Sequence, residues 1–270
     1  MHRLLINFFI MGAMPLFSNL SRLNPQEPFL PHFVAGYSYE YIPYVNGLSS
    51  TKAYSSSDNK LNLGGWIATM GGMELGGYLD FNQTVLFPFN LQSIMVYGRY
   101  SVFDDLAGDV CGLNIGGIIK VVPNGRLIDP ATLANDVVNL SGFAQFYKNI
   151  LINADWSYLP YFGIDVGIAN RGYPWLKPGL GLGLKFRAWF FDAVMNGAFG
   201  FGPNDYINLD TFKGYAYTRY SSLALDLLFG KTILDQGYIQ LGYVLRFFSK
   251  NYPDRVNGFV LSIDVPIPIF

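Results

Sequence analysis

Few side chains in this 270-residue sequence have the chemistry of a catalyst. General-base and nucleophile-activating roles fall most often to histidine, and the sequence holds only His2 and His32. His2 lies in a segment expected to be removed. His32 follows Pro31 at the start of the first expected strand, where an interfacial or capping role is expected. The single Cys111 excludes an intramolecular disulfide, and in Val110-Cys111-Gly112-Leu113 it reads as a small apolar strand residue. Asp104-Asp105 is the obvious carboxylate pair, but Phe103-Asp104-Asp105-Leu106-Ala107-Gly108-Asp109 reads as a solvated turn. One Cys and two His make no metal cluster, and Asn204, Asp205 and Asp210 lack calcium-loop spacing. The glycine-rich stretches Gly71–Gly77 and Gly179–Gly183 lack the Gly-Lys-Ser/Thr ending of a phosphate loop. No enzymatic activity, cofactor or metal is therefore expected. A net charge of −1 gives no footprint for nucleic acid.

A second set of polar residues has a pattern in place of a motif. Glu40, Glu74, Asp80, Arg99, Asp165, Lys185, Arg187, Asp226 and Arg246, with Ser38 and Ser93, fall on the parity opposite Leu, Ile and Phe. Gly163, Asp165, Gly167 and Ala169 alternate with Phe162, Ile164, Val166 and Ile168. Gly181, Gly183, Lys185 and Arg187 alternate with Leu180, Leu182, Leu184 and Phe186. Near the end, Phe259, Leu261, Ile263, Val265, Ile267 and Ile269 oppose Gly258, Ser262 and Asp264. Enclosed together, Arg99, Lys185, Arg187 and Arg246 can attract anionic solutes. Paired with Glu40, Glu74, Asp165 and Asp226, they fill space instead.

Period-two alternation requires strands with one apolar face. Such segments fall at about 32–44, 60–70, 73–82, 91–103, 110–121, 138–155, 160–171, 178–190, 191–202, 214–229, 236–249 and 255–269. The sixth shifts phase near Lys148-Asn149, as a bulge or a dividing turn would. Longer polar connections follow the odd-numbered segments, as in 45–59, 122–137, 203–213 and 250–254. Shorter ones follow the even-numbered segments, as at Gly71-Gly72 and the corner near Phe191-Asp192. Hydrophobic residues make up 51% of the chain and charged residues 14%, against roughly 25% charged in soluble domains. No apolar run reaches the roughly 20 residues of a membrane helix. Aromatics such as Tyr215, Tyr217 and Phe247 fall near strand ends, where rings suit a membrane interface. Arg219 breaks the apolar parity of its strand and is placed to snorkel to lipid headgroups or lipopolysaccharide phosphates.

Residues 1–20 read as a signal peptide: His2-Arg3 precedes an apolar run from Leu4 to Phe17, too short to span a membrane. Residues 21–270 form the second unit.

From about residue 31 to 270, the alternation, the long-and-short connections and the terminal Phe270 resemble the general class of Gram-negative-type outer-membrane β-barrels. The resemblance implies an all-β fold, a single closed antiparallel transmembrane barrel of about twelve strands. It also implies contact with outer-membrane lipid and lipopolysaccharide, and Phe270 read by the barrel-assembly machinery. Pro268, Pro266, Asp264 and Ser262 depart from the apolar residues usual at alternate positions before that terminus. Three functional readings follow: a pore or transporter for a small solute, a non-transporting barrel whose outer loops bind a host or envelope partner, and a soluble exported β-barrel or sandwich.

Overall fold

The computed structural model describes residues 29–48, 54–105, 108–234 and 236–267. The expected signal peptide and Phe270 lie outside them. The alternating segments form twelve long strands: β1 (Pro31–Ile42), β2 (Ser56–Ala68), β3 (Met73–Gln83), β4 (Asn90–Phe103), β5 (Gly112–Val121), β6 (Val138–Tyr147), β7 (Trp156–Ala169), β8 (Trp175–Phe186), β9 (Trp189–Phe201), β10 (Arg219–Ile233), β11 (Gly237–Lys250) and β12 (Asn257–Pro266). Each pairs antiparallel with its neighbours in sequence, and β12 pairs with β1, so the sheet closes on itself. Closure leaves this sheet without an open edge.

The strands are tilted, as closure demands. One ladder row starts at His32, at the beginning of β1. It passes through Trp66, Gly76, Tyr97, Ile118, Ser141, Gly167, Trp175 and Gly200 to Tyr220, at the opposite end of the barrel.

Burial decides which way the apolar face points. Ser38, Asp58, Ser93 and Asn82 are buried, whereas Leu180 is 62% exposed and Leu241 61%. The exterior is apolar, and the interior mixes polar and charged side chains with an apolar cluster that includes Trp66, Met95, Phe143, Phe190 and Leu228. An apolar outer face with charges enclosed is the reverse of a soluble sandwich and the arrangement of a membrane barrel. The soluble reading falls on this observation. Rings gather near both rims. Trp156 lies against Phe186 at 4.6 Å and Trp189 stacks on Phe229 at 5.2 Å, near the end where the described chain begins. Tyr37, Tyr39, Tyr41 and Phe201 are exposed toward the other end. Two aromatic belts at headgroup level follow.

The connections sort by end. Residues 43–48, 54–55, 84–89, 122–137, 170–174, 202–218 and 251–256 lie at one end, the loop end. Residues 69–72, 104–105, 108–111, 148–155, 187–188, 234 and 236 lie at the other, the turn end.

Three expected boundaries move. The sixth segment ends at Tyr147, and Ile150–Leu151 folds back on Ser157 and Tyr158, so the phase shift is a turn. The corner after β8 is at Arg187-Ala188, and Phe191 and Asp192 lie within β9. The tenth strand starts at Arg219, because Tyr215–Tyr217 make a 3₁₀ turn. Tyr215 is therefore buried among loops and not at a lipid interface.

Candidate functional site

Inside the wall, period two brings together side chains that are far apart in sequence. Lys60 donates to Glu40 at 2.7 Å from the adjacent strand. Arg99 donates to Glu74 at 2.7 Å, and Tyr97 Oη reaches the other Glu74 oxygen at 2.7 Å. Asp80 accepts hydrogen bonds from Ser93 and Asn62 and lies 3.8 Å from Lys120. Asp165 stands opposite Lys177 in the β7–β8 ladder. Asp226 accepts from the Asn196 amide. Arg246 donates to the Pro253 carbonyl at 3.3 Å and lies 5.0 Å from the Tyr252 ring.

Lys185 differs from these. It is 6% exposed, on the inward parity of β8 beside Ser157 and Phe190. Among the described residues, none gives it a hydrogen bond or an ion pair. Its neighbour in the expected set, Arg187, is not inside the barrel. It occupies the two-residue turn after β8, 65% exposed, and pairs with Asp155 at 3.2 Å. The register that puts Lys185 inward ends at Phe186, so the alternation does not extend to Arg187.

Several interior groups escaped the sequence reading. Asp58 and Lys60 continue the alternation of β2 from Ser56 and were legible from it. Asp192 was hidden by the misplaced corner; it accepts from Tyr161 Oη at 2.8 Å. His32 is a correction. Instead of capping a strand at the interface, it is buried, stacked on Trp66 at 3.8 Å, with Nδ1 2.6 Å from Asp264. Asp264 also accepts from Trp66 Nε1 at 2.9 Å. Asp105 is not solvated: its buried carboxylate accepts from the Asn149 backbone at 2.6 Å and ties two inner turns together. Arg219 pairs with Asp205 of its own loop at 3.4 Å.

At the loop end, the connections fold over the mouth of the barrel. Ala131, Ile207, Phe212, Tyr215 and Tyr252 are buried there against Tyr220 of β10. Asp129 anchors the cluster, accepting from Tyr54, Thr84 and the Ala131 backbone. Loops 122–137 and 202–218 are stitched by Tyr215 N–H to Ala134 at 2.9 Å and Ala216 N–H to Asn135 at 3.0 Å. Their crossing needs Gly214: its φ is +91°, and a Cβ would stand 2.2 Å from the Asn135 carbonyl oxygen. Arg171 holds Asp136 through two hydrogen bonds, at 2.9 and 3.0 Å. Desolvation pushes the phenols of Tyr54 and Tyr215 above their ordinary range.

Known folds match this geometry. An outer membrane channel from Pseudomonas putida F1 superposes with a TM-score of 0.60 at 10% identity, covering 91% of this chain and 98% of that one. The chain has the fold of an outer-membrane β-barrel. The NanC porin (TM-score 0.49, 10% identity, 88% of this chain and 100% of that one) and the translocator domain of autotransporter NalP from Neisseria meningitidis (0.46, 11%, 91% and 90%) are more distant. No protein-family model and no curated protein matches the sequence. In this barrel, then, the candidate site is the interior wall with the loop plug above it.

Proposed function

We propose that the barrel resides in a bacterial outer membrane, turn end toward the periplasm, and passes a small solute through its lumen. The observation that carries the reading is Lys185. An ammonium taken out of water without an ion-pair partner is costly, and neither Asp192 of β9 nor Asp165 of β7, the inward carboxylates of the adjacent strands, makes an ion pair with Lys185. Water or a permeating anion beside it removes that cost. Glu40, Glu74 and Asp80 line the same pathway paired with Lys60, Arg99 and Lys120, Asp165 faces Lys177, and Asp226 and Arg246 are held by the Asn196 amide and the Pro253 carbonyl. Selectivity then rests on Lys185, and a modest anion preference follows.

A second reading, a non-transporting barrel that displays its loops to a host or envelope partner, is favoured by the apolar packing at the loop end. Planar-bilayer recording separates the two. The pore reading expects channels whose reversal potential in a salt gradient moves toward cation preference in Lys185→Glu and stays near the wild type in Arg187→Glu. Absence of conductance favours the loop-display barrel. Conductance indifferent to Lys185→Glu removes Lys185 from the pathway.

A further inference from the structure

The loop end carries a cavity that the lumen does not account for. It has a volume of about 340 Å³ and is bounded by loop 202–218 together with Asp136 and Arg171. Its lining combines three chemistries. Tyr206 and Tyr217 present rings that are 57% and 48% exposed. Asn204, Asn208, Thr211 and Thr218 supply amides and hydroxyls. Arg171 and Lys213 supply positive charge.

Asp136 is the carboxylate of this lining, and both its oxygens are engaged, by Arg171 and by the Val137 backbone. The lining therefore carries one positive charge in excess, and Lys213 has no acidic partner among the described residues. The wall is held in shape before any ligand arrives. Asn204 N–H donates to the Tyr217 carbonyl at 3.0 Å, Arg219 N–H to the Asn204 carbonyl at 2.7 Å, and Thr211 N–H to the Asn208 carbonyl at 3.2 Å. Preorganisation of this kind lowers the ordering cost of binding.

We propose that this cavity binds a small saccharide bearing a carboxylate. Aromatic rings accept the C–H face of a sugar, amides and hydroxyls pair with its hydroxyl groups, and Lys213 with the guanidinium edge of Arg171 meets the acid. The volume lies at the low end of small-ligand sites, which suits one or two sugar rings and not a long glycan. The site goes beyond the pore reading, since binding here does not require conduction.

The test uses the full-length folded protein in detergent micelles, titrated calorimetrically with D-glucuronate and D-glucose. Glucuronate is expected to bind at least about tenfold more tightly than glucose, a difference of about 1.4 kcal/mol. Lys213→Gln is expected to reduce glucuronate binding to the glucose level. Tyr206→Ala weakens both sugars, and Lys231→Gln, at the turn end, changes neither. Folding of each variant is checked by the mobility difference between unheated and boiled samples. Absence of binding by either sugar overturns the proposal, as does equal binding of the two. Glucuronate binding that survives both Lys213→Gln and Tyr206→Ala places the ligand elsewhere and overturns it too. Loss of the site in these ways, with conductance and its Lys185 dependence intact, leaves the pore reading standing.

Discussion

The ring of Tyr161 occupies the place where a side chain on Gly181 would begin: a Cβ there would stand 2.1 Å from the ring Cζ. The two residues are ladder partners on β7 and β8, and Tyr161 Oη continues to Asp192. The same relationship recurs at Gly76 under Tyr97, Gly112 under Tyr147 and Gly200 under Tyr220. Interior rings lie against glycine on the next strand, as in the aromatic rescue of glycine in sheets.

Gly181→Val is therefore expected to displace the Tyr161 ring and cost about 1–3 kcal/mol through overpacking. Gly142→Val, on the outer face, where a Cβ meets nothing closer than 3.7 Å, is expected to be tolerated. Urea unfolding followed by tryptophan fluorescence compares them. Equal stability would show that Tyr161 is not held against Gly181.

The exposed apolar band predicts a depth dependence. Leu182→Arg, on the outer face of β8, is expected to destabilise by about 2–4 kcal/mol if it sits near the bilayer midplane. Ile168→Arg, close to the loop-end rim of β7, is expected to cost about 0–1 kcal/mol. Refolding yields into lipid vesicles across a urea series measure both. A rim substitution as costly as the central one would displace the membrane from its assigned place on the wall.

Surface labelling tests orientation. A short epitope after Asp210, in loop 202–218, is expected to be reached by antibody on intact cells. One between Gly71 and Gly72 is expected to be reached only after permeabilisation. Pro130 is buried in the plug, so an epitope placed there is expected to lower the yield of folded barrel. Labelling of intact cells only at Gly71-Gly72 would turn the barrel over.

The plug makes an alkaline prediction. Burial raises the Tyr252 phenol from 10.0 to about 12, against a smaller opposing pull from Arg246, and burial also raises Tyr54 and Tyr215. A raised phenol pKa means that the packed plug holds the proton more tightly than the open loops do. Its stabilisation is full below about pH 10 and is lost as pH rises through about 12. Conductance is expected to rise over that window as tyrosinate absorbance appears, and Tyr252→Phe is expected to move the rise to higher pH. Complete tyrosinate formation near pH 10 with no change in conductance would show that these phenols do not hold the plug.

Much of this was legible in the residues themselves. Leu180, Leu182 and Leu184 against Gly181, Gly183 and Lys185 specify both faces of β8, because a strand's side chains alternate regardless of what surrounds it. The same local rule indicated twelve strands and most of the inward charges. It failed where alternation gives way to turn geometry. Arg187 keeps the parity of Lys185, but its φ of +55° belongs to the two-residue turn, so it points to a different partner.

What lies within one strand, then, the sequence determined by itself: period, apolar face and the set of residues sharing the inner wall. Which of those residues meet was decided only when twelve tilted strands closed and their register was set. That register brings His32 to Asp264 across the junction of the first and last strands and leaves Lys185 without a partner among the described residues. The plug likewise exists only in three dimensions. Asp129 and Asp136 read as loop residues in the chain, and Tyr215 as a strand-end aromatic at the membrane interface. Their burial depends on connections far apart in sequence reaching the same rim, and the pairings there satisfy polar groups that local spacing cannot match.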